Sequence, residues 1–505
     1  MTATDDDELT ALGYRPSLER SVGRFGSFAA GVSYISVLTG TFQLFYFGFG
    51  SGGPAYWWSW PMVFVGQLMV ALCFAELASR YPFAGSVYHW SKRLGSATTS
   101  WLAGWTMLVA SIVTLSAVVL AYQLTLPQLW PGFQLVGDGT GTYDSAVNAV
   151  VLGSALVLFT TVVNAYGVRL MTRINSIGVF VELVAAVLLV VLLAVNVRRG
   201  PSALLETAGT GEGRTSGYAG AFLVAALASG YVMYGFDTAS SLGEETRDPR
   251  RTAPRAILTA LGASFLLGGS ILLLGILAAP DLGDERLGLA SGGLQLVVLQ
   301  VLGGTLGKVF LACIVLAITV CALAVHAATI RLVFTMARDG QLPASAALAR
   351  VHPVHRTPVV PAVLVGLLSV AILVVNVRQP QIFTVVTSLA IVLIYLAYLL
   401  VTGPMLLSRL RGTWPPPGTS GFSLGRLGLP VNLAAVVWGT AMAVNLGWPR
   451  SEVYDAVEPH HWYLQYGAPL AVGTIVLGGL ALYRGRLRSR AGVLPEHLAE
   501  AQPVV

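Results

Sequence analysis

Three acidic residues lie inside long apolar stretches of the sequence: Glu76, Glu182 and Asp237. A carboxylate within a hydrocarbon layer is costly unless it is paired or neutralised, so such residues mark ion, proton or substrate sites. Asp237 and Glu182 are therefore candidates for ion or proton coupling. For Asp237 the alternative is a structural carboxylate that caps the start of a helix. For Glu182 the alternative is a hydrogen-bonded packing residue.

A second set of charges marks the predicted inner ends of the same stretches. Arg80 follows Glu76 by one helical turn, a spacing that favours an ion pair on one helix face or an inner-gate contact. Glu244 and Glu245 follow Asp237 and precede several arginines. We interpret these residues as a cytoplasmic gate, with a solvated charge run as the alternative.

The composition indicates which class of protein positions these residues. Of the 505 residues, 55% are hydrophobic and only 11% are charged, and the mean hydropathy is +0.72. A soluble domain carries about 25% charged residues, so the chain is predicted to be an integral membrane protein. Its three cysteines all lie in apolar runs without metal-ligand spacing, so we expect neither a disulfide framework nor a bound metal.

No nucleotide-binding or catalytic signature occurs in a plausible context, so neither an enzyme nor a cofactor is predicted. The formal net charge of +6 does not point to nucleic acid, because the basic residues lie in short clusters between apolar runs. That distribution is typical of membrane topology and predicts that both termini are cytoplasmic. The expected partners are the bilayer of the plasma membrane and a small-molecule substrate, and the sequence leaves the oligomeric state open.

Twelve stretches are long and apolar enough to cross a bilayer. The predicted spans are residues 25–49, 57–79, 99–126, 145–168, 174–197, 217–243, 256–279, 306–335, 358–377, 382–407, 429–448 and 462–483. An interfacial stretch with Lys92 and Arg93 is expected before the third. A Pro- and Gly-rich linker separates the tenth span from the eleventh.

Two spans contain residues that oppose an unbroken helix. Span one has the Ser/Thr/Gly cluster SYISVLTGT at 33–41, and span six has ASGYVMYGFDT at 228–238. Glycine and hydroxyl side chains disfavour the helix interior, and paired interruptions in two halves of a chain point to a transporter binding site. Breaking a helix exposes N–H groups on one side and C=O groups on the other, which suits a zwitterion or an organic cation. The alternative is that the small residues only permit close helix packing.

These segments also carry a family resemblance. The stretches SYISVLTGTF, WPMVFVGQLMVALCFAELASRYPFAGSVYHWSKRL, YGFDTASSLGEETRDPRRTAPRAI and ATIRLVFTMARDGQLP resemble the amino acid–polyamine–organocation permeases. The likeness is to their subgroup of amino acid, choline and γ-aminobutyrate transporters. It extends over about residues 10–485.

The resemblance implies an all-α membrane fold of twelve helices, built as a five-plus-five inverted repeat of the LeuT type with two terminal helices. The implied segments are a cytoplasmic N-terminal segment 1–24, repeat one at 25–197, repeat two at 217–407, a terminal pair at 429–483 and a cytoplasmic tail at 484–505. Alternating access is the implied mechanism.

The resemblance also implies that the unwound parts of spans one and six hold the substrate. The backbone of span one is expected to take a carboxylate, the carbonyls around Ser229, Tyr231 and Val232 an amine, and Phe236 is expected near a gate. The implied substrate-binding residues are Val37, Leu38, Thr39, Gly40, Ser229, Tyr231, Val232, Tyr234, Gly235 and Phe236. Some proton-coupled relatives have a lysine near the place of Glu182, and this departure leaves the coupling ion open between proton and sodium.

We therefore predict a secondary transporter that imports an amino acid or related small amine with protons. A choline or polyamine carrier of the same fold is the alternative, because an aromatic cage can bind quaternary ammonium. The residues available for that cage are Tyr34, Tyr231, Tyr234, Phe236 and Trp105. An alternative of another class is a membrane sensor or channel that binds the ligand without moving it uphill.

Overall fold

The computed structural model describes residues 22–495, except 82–84, 215, 242, 355, 376, 378–381, 415–420 and 455–459. Residues 1–21 and 496–505 of the predicted terminal segments therefore lie outside the described residues. In the described residues the secondary structure is helical, apart from one isolated bridge between Val22 and Thr246.

Nineteen α-helices are numbered here in chain order over those residues. They are α1 Arg24–Ile35, α2 Val37–Gly52, α3 Ser59–Arg80, α4 Ser86–Leu94, α5 Ala97–Leu129, α6 Asp144–Tyr166, α7 Val168–Val195, α8 Gly217–Val232, α9 Thr238–Ser241, α10 Pro249–Ala278, α11 Gly293–Leu302, α12 Gly304–Arg338, α13 Ser345–Leu348, α14 Val359–Val375, α15 Ile382–Leu410, α16 Gly428–Gly447, α17 Ser451–Tyr454, α18 Trp462–Gln465 and α19 Gly467–Leu482.

Ten helical segments in the described part of the chain are long and apolar enough to cross a membrane, with α1 and α2 together forming one of them. Two further predicted spans, the sixth and the ninth, correspond to the shorter apolar helices α8 and α14. The prediction of an all-helical, multi-pass membrane protein is therefore confirmed. The count of twelve spans stays a prediction.

Several boundaries differ from those predicted. The sixth span was expected to continue to Gly243, but its helix ends at Val232. The expected interfacial stretch is the separate helix α4, which carries Lys92 and Arg93 in its last turn. The short helix α11 was not predicted, because its apolar run is only ten residues long and is bounded by glycines.

Burial separates a core from a periphery. In the span made of α1 and α2, 94% of the most apolar window is buried, against 28% for the span containing α16 and 17% for the span containing α19. The interrupted helix thus lies at the centre, where α1 packs on α10 and α7, and α2 packs on α8. Outer faces carry exposed apolar side chains such as Leu158, Phe180 and Leu477, as expected for surfaces solvated by lipid.

Candidate functional site between two interrupted helices

The first interruption is a single residue, Ser36. Its φ of 38° and ψ of 91° lie outside the helical region, and it separates the end of α1 from the start of α2. The sequence placed the interruption within the cluster 33–41, and in the structure it is confined to Ser36. Residues from Val37 onward are helical, because a hydroxyl such as that of Thr41 donates to the Val37 carbonyl within the helix (2.6 Å).

The second interruption covers five residues, Met233 to Asp237, between α8 and the short α9. Gly235 has a φ of 85°, a conformation that favours glycine. A Cβ at this position would also collide with the ring of Tyr34. Glycine therefore allows the two interrupted segments to approach each other.

A second glycine brings the same segments together one turn away. A Cβ added at Gly40 would lie 2.7 Å from Cγ2 of Val232, at the last residue of α8. The close-packing alternative thus accounts for part of the small-residue pattern, since these glycines do permit contact. It does not account for the interruptions themselves, which close packing of continuous helices does not require.

Glu182, on α7, binds the first interruption. Its Oε1 accepts a hydrogen bond from the Leu38 N–H (3.2 Å) and one from the Ser36 hydroxyl (2.9 Å). The Thr39 hydroxyl oxygen lies 2.6 Å from that of Ser36. Glu182 is buried, and its Oε2 has no hydrogen-bond partner among the described residues. The carboxyl group therefore lies at the start of α2, where unpaired N–H groups favour an anion.

Asp237 binds hydroxyl groups around the second interruption. Its Oδ1 accepts from the Tyr398 hydroxyl (2.6 Å) and its Oδ2 from the Ser86 hydroxyl (2.8 Å). The Tyr398 oxygen in turn accepts from the Gly235 N–H (2.9 Å). The expected alternative, a carboxylate capping the N–H groups of the next half-helix, is not the arrangement seen. Asp237 instead ties the interruption to α15 and α4.

Tyrosine rings surround the meeting point of the two segments. Tyr34 and Tyr231 each make an edge contact with Tyr234, with ring centroids 6.2 and 5.7 Å apart. The Tyr231 hydroxyl is buried and has no hydrogen-bond partner in the described part of the chain. Phe236 packs on Phe74 and Tyr398. Three of the five residues proposed as an aromatic cage, Tyr34, Tyr231 and Tyr234, are therefore joined by ring contacts.

Trp105 does not belong to this cluster. Its ring stacks on Trp101, and its indole N–H donates to the Ile475 carbonyl on α19 (3.0 Å). The cage prediction was wrong for this residue, because a tryptophan on a long apolar helix gave no indication of which neighbour it faces.

Ser229 takes a different position from the one implied for it. Its hydroxyl lies 2.6 Å from that of Ser59, and its carbonyl already accepts the Met233 N–H (3.3 Å). The later carbonyls of Tyr231 and Val232 belong to the last turn of α8, where no intrahelical partner follows. These two carbonyls fit the predicted amine contact better than that of Ser229.

The predicted gate residues are buried in ion pairs. Glu244 accepts two bonds from Arg338 (both 3.0 Å), and Glu245 accepts from Arg331 (3.2 and 3.3 Å). All four side chains are buried. For these two glutamates the alternative of a solvated charge run is therefore wrong.

Glu76 binds more partners than the sequence indicated. Arg80 lies 3.4 Å away as predicted, and Arg409 and the Ser423 hydroxyl bind the same carboxylate. The guanidinium groups of both arginines lie over the Trp414 ring, 4.9 and 4.5 Å from its centroid. This cluster joins α3 to the end of α15 and to the linker that follows.

One further acidic residue on the inner side had no sequence signal. Asp339 accepts from Lys92 (2.5 Å) and from the Tyr88 hydroxyl (2.8 Å), both on α4. Burial opposes its ionisation, but the positive charges around it hold the pKa of the Asp339 carboxyl below its ordinary value. Tyr398 and Ser86, the partners of Asp237, were not predicted either, because contacts between residues far apart in the sequence leave no local pattern.

The chain is similar to known proteins over most of its length. The family description "Amino acid permease" matches residues 22–477. Amino-acid permease BAT1 of Arabidopsis thaliana is 28% identical over 87% of this chain and 88% of its own length. The methylthioribose transporter of Bacillus subtilis is 28% identical over 77% of this chain and 84% of its own.

A solved structure has the same fold. The crystal structure of MhsT in complex with L-phenylalanine superimposes with a TM-score of 0.56 at 16% identity, covering 91% of this chain and 99% of that one. The matched family and the multi-pass helical architecture show that this chain belongs to the amino acid permease family of the amino acid–polyamine–organocation superfamily, and that it is a transporter of amino acids or related substrates.

Proposed function

We propose that the protein is a secondary active transporter that imports an amino acid or related small amine across the plasma membrane, together with protons, by alternating access. The observation that carries this proposal is the meeting of two interrupted helices at the buried centre, each with a buried carboxyl group. Freed backbone groups and a titratable residue in one place are the elements that coupled transport requires.

The proposed architecture has twelve spans in two inverted repeats, 25–197 and 217–407, followed by a terminal pair at 429–483. In this arrangement α8 crosses together with the non-helical residues 233–237. Both termini are cytoplasmic in the proposal, with the segments 1–24 and 484–505 outside the membrane. The peripheral position of α16 and α19 supports their role as an added pair.

Substrate is proposed to bind against the start of α2, residues Val37 to Gly40, and the end of α8, from Ser229 to Phe236. The Gly40–Val232 contact and the tyrosine cluster support this location, because they bring the start of α2 and the end of α8 into contact. Phe236, packed on Phe74 and Tyr398, is proposed to cover the substrate.

Proton coupling is assigned to Asp237 and Glu182. Neither makes an ion pair with Lys or Arg among the described residues, so a proton or a bound cation is what would neutralise each of them. Sodium is the competing coupling ion. The inner gate is proposed to open by separating the pairs of Glu76 with Arg80, Glu244 with Arg338 and Glu245 with Arg331.

The decisive experiment is uptake into proteoliposomes that contain the purified protein. Labelled amino acids and amines, choline and a polyamine among them, are offered with an inward proton gradient, with a sodium gradient, or with neither. We expect accumulation above the outside concentration only with the proton gradient. A channel would equilibrate the substrate without accumulating it, and a sensor would bind without uptake. Absence of gradient-driven accumulation of every amine tested would refute the proposal.

A second candidate is a carrier of organic cations in the same fold. The cluster of Tyr34, Tyr231 and Tyr234 favours it, because aromatic faces attract cations. Choline and polyamines in the uptake panel distinguish the two candidates.

A further inference from the structure

The start of α2 is an anion-binding position that is already filled. It opens a helix of 16 residues whose first N–H groups have no partner within the helix. A helix N-terminus of this kind attracts a carboxylate. In this structure the carboxylate is Glu182, which accepts from the Leu38 N–H and the Ser36 hydroxyl.

The contact is part of the core. Glu182 is 2% exposed, and its second oxygen, Oε2, is buried without a hydrogen-bond partner among the described residues. The thiol of Cys321, on α12, lies 3.5 Å from the Tyr34 carbonyl oxygen, next to the first interruption.

The charge balance around the interruptions favours a positively charged substrate. Glu182 and Asp237 are both buried here, and neither forms an ion pair with Lys or Arg in the part of the chain that the structure describes. A substrate carboxylate at the start of α2 would bring a further acidic group against Glu182, and like charges repel strongly in a low-dielectric site. An ammonium group could instead donate to Glu182 Oε2, which has no partner among the described residues, and aromatic faces such as those of the tyrosine cluster attract cations.

We propose that Glu182 determines the substrate class: its side chain takes the place of a substrate carboxylate, so the transported compound is an amine without a free carboxylate. This inference rests on the proposed function, because it narrows the substrate of the same site. Glu182 acts here as a specificity-determining residue at the start of α2.

The test compares pairs of compounds that differ only in the carboxylate. Leucine is paired with 3-methylbutylamine, phenylalanine with 2-phenylethylamine, and arginine with agmatine. Isothermal titration calorimetry gives the Kd of each compound for the full-length protein in detergent. The variants are Glu182→Gln, which keeps the shape without the charge, and Glu182→Ala, which vacates the position. Glu285→Gln, at an exposed outer-loop residue, is the matched control.

The wild-type protein and Glu285→Gln are expected to bind at least one amine more tightly than its amino acid. In Glu182→Gln and Glu182→Ala, the ratio of the amino acid Kd to the amine Kd should fall by about tenfold or more. This factor corresponds to the free energy of one hydrogen bond to a charged group. The larger fall is expected for alanine, since the Leu38 N–H is then free for the substrate. A melting temperature and elution volume like those of the wild type show that the variants are folded.

Three results would overturn the inference: tighter binding of the amino acids by the wild type, no binding of any amine, or a preference unchanged within about twofold in both Glu182 variants. Accumulation in proteoliposomes is measured separately. Correct preferences without accumulation would refute the transport proposal alone, whereas accumulation of the amino acids in preference to the amines would refute only the assignment of Glu182.

Discussion

Buried acidic residues of this protein form two groups with opposite surroundings. In the first group, Glu76, Glu244, Glu245 and Asp339 each pair with a lysine or arginine. In the second group, at the central interruptions, Glu182 and Asp237 bind hydroxyl groups and backbone N–H groups, without a lysine or arginine partner among the described residues.

The difference separates two roles for a buried carboxylate. A paired carboxylate has its compensating charge built into the fold, so it joins the helices that carry the two partners. In the described part of the chain, the carboxyl groups of Glu182 and Asp237 have no lysine or arginine partner. Stability measurements should therefore distinguish the two groups even before any substrate is known.

The largest loss of stability is expected from Glu244→Gln. This change removes the carboxylate that binds the fully buried guanidinium of Arg338, and removing one partner of a buried ion pair costs about 3–5 kcal/mol. The melting temperature of the purified protein in detergent should fall clearly. Replacing both residues, Glu244→Gln with Arg338→Gln, should recover part of the loss. A melting temperature equal to that of the wild type would show that the ion pair does not stabilise the folded protein.

A smaller effect is expected where the two interrupted segments touch. Gly40→Ala places a methyl group 2.7 Å from the Val232 side chain, and overpacking of this kind costs about 1–3 kcal/mol. The second change Val232→Ala should restore the melting temperature and, on the proposed function, the uptake rate. If the melting temperature of the double variant falls by as much as the two single-variant changes added together, the Gly40–Val232 contact is not the cause of the lost stability.

Lys92→Ala should have a still smaller effect, although it removes an ion pair. The Lys92 side chain is 38% exposed whereas Asp339 is buried, so water screens one partner and the loss should be smaller than for a pair buried on both sides. Asp339 keeps the Tyr88 hydroxyl as a partner. The melting temperature of Lys92→Ala, measured beside that of Glu244→Gln, checks this expectation. An equal fall in both variants would show that burial does not determine the cost of losing an ion pair.

Asp237→Asn is expected to change stability least, because no buried cation is left unpaired. Asparagine keeps one acceptor oxygen for the Tyr398 hydroxyl, and its amide N–H can donate to the Ser86 hydroxyl oxygen, so the melting temperature should stay close to that of the wild type. Accumulation driven by a proton gradient should nevertheless fall by about tenfold or more if this residue carries the proton. Full coupled uptake in Asp237→Asn would remove the residue from the coupling mechanism, and a strong fall in melting temperature would show a structural role instead.

The sequence alone determined the membrane class and the position of both interruptions. Apolar runs of sufficient length dictate spanning helices, because backbone groups must be paired within lipid. Glycine and hydroxyl residues at Ser36 and around Gly235 showed where those helices end. The same local rule overestimated the first interruption, because hydroxyls such as that of Thr41 bond within the helix.

Only the tertiary structure decided which residues those interruptions bind. Glu182 lies 144 residues from Leu38 and Asp237 lies 161 residues from Tyr398, and no local pattern encodes contacts at such separations. Trp105 shows the same limit, since the aromatic residue was visible but its neighbours were not. Apolar periodicity and helix-breaking residues act on near neighbours along the chain, whereas the partners of a buried charge are chosen by the packing of helices that are far apart in sequence.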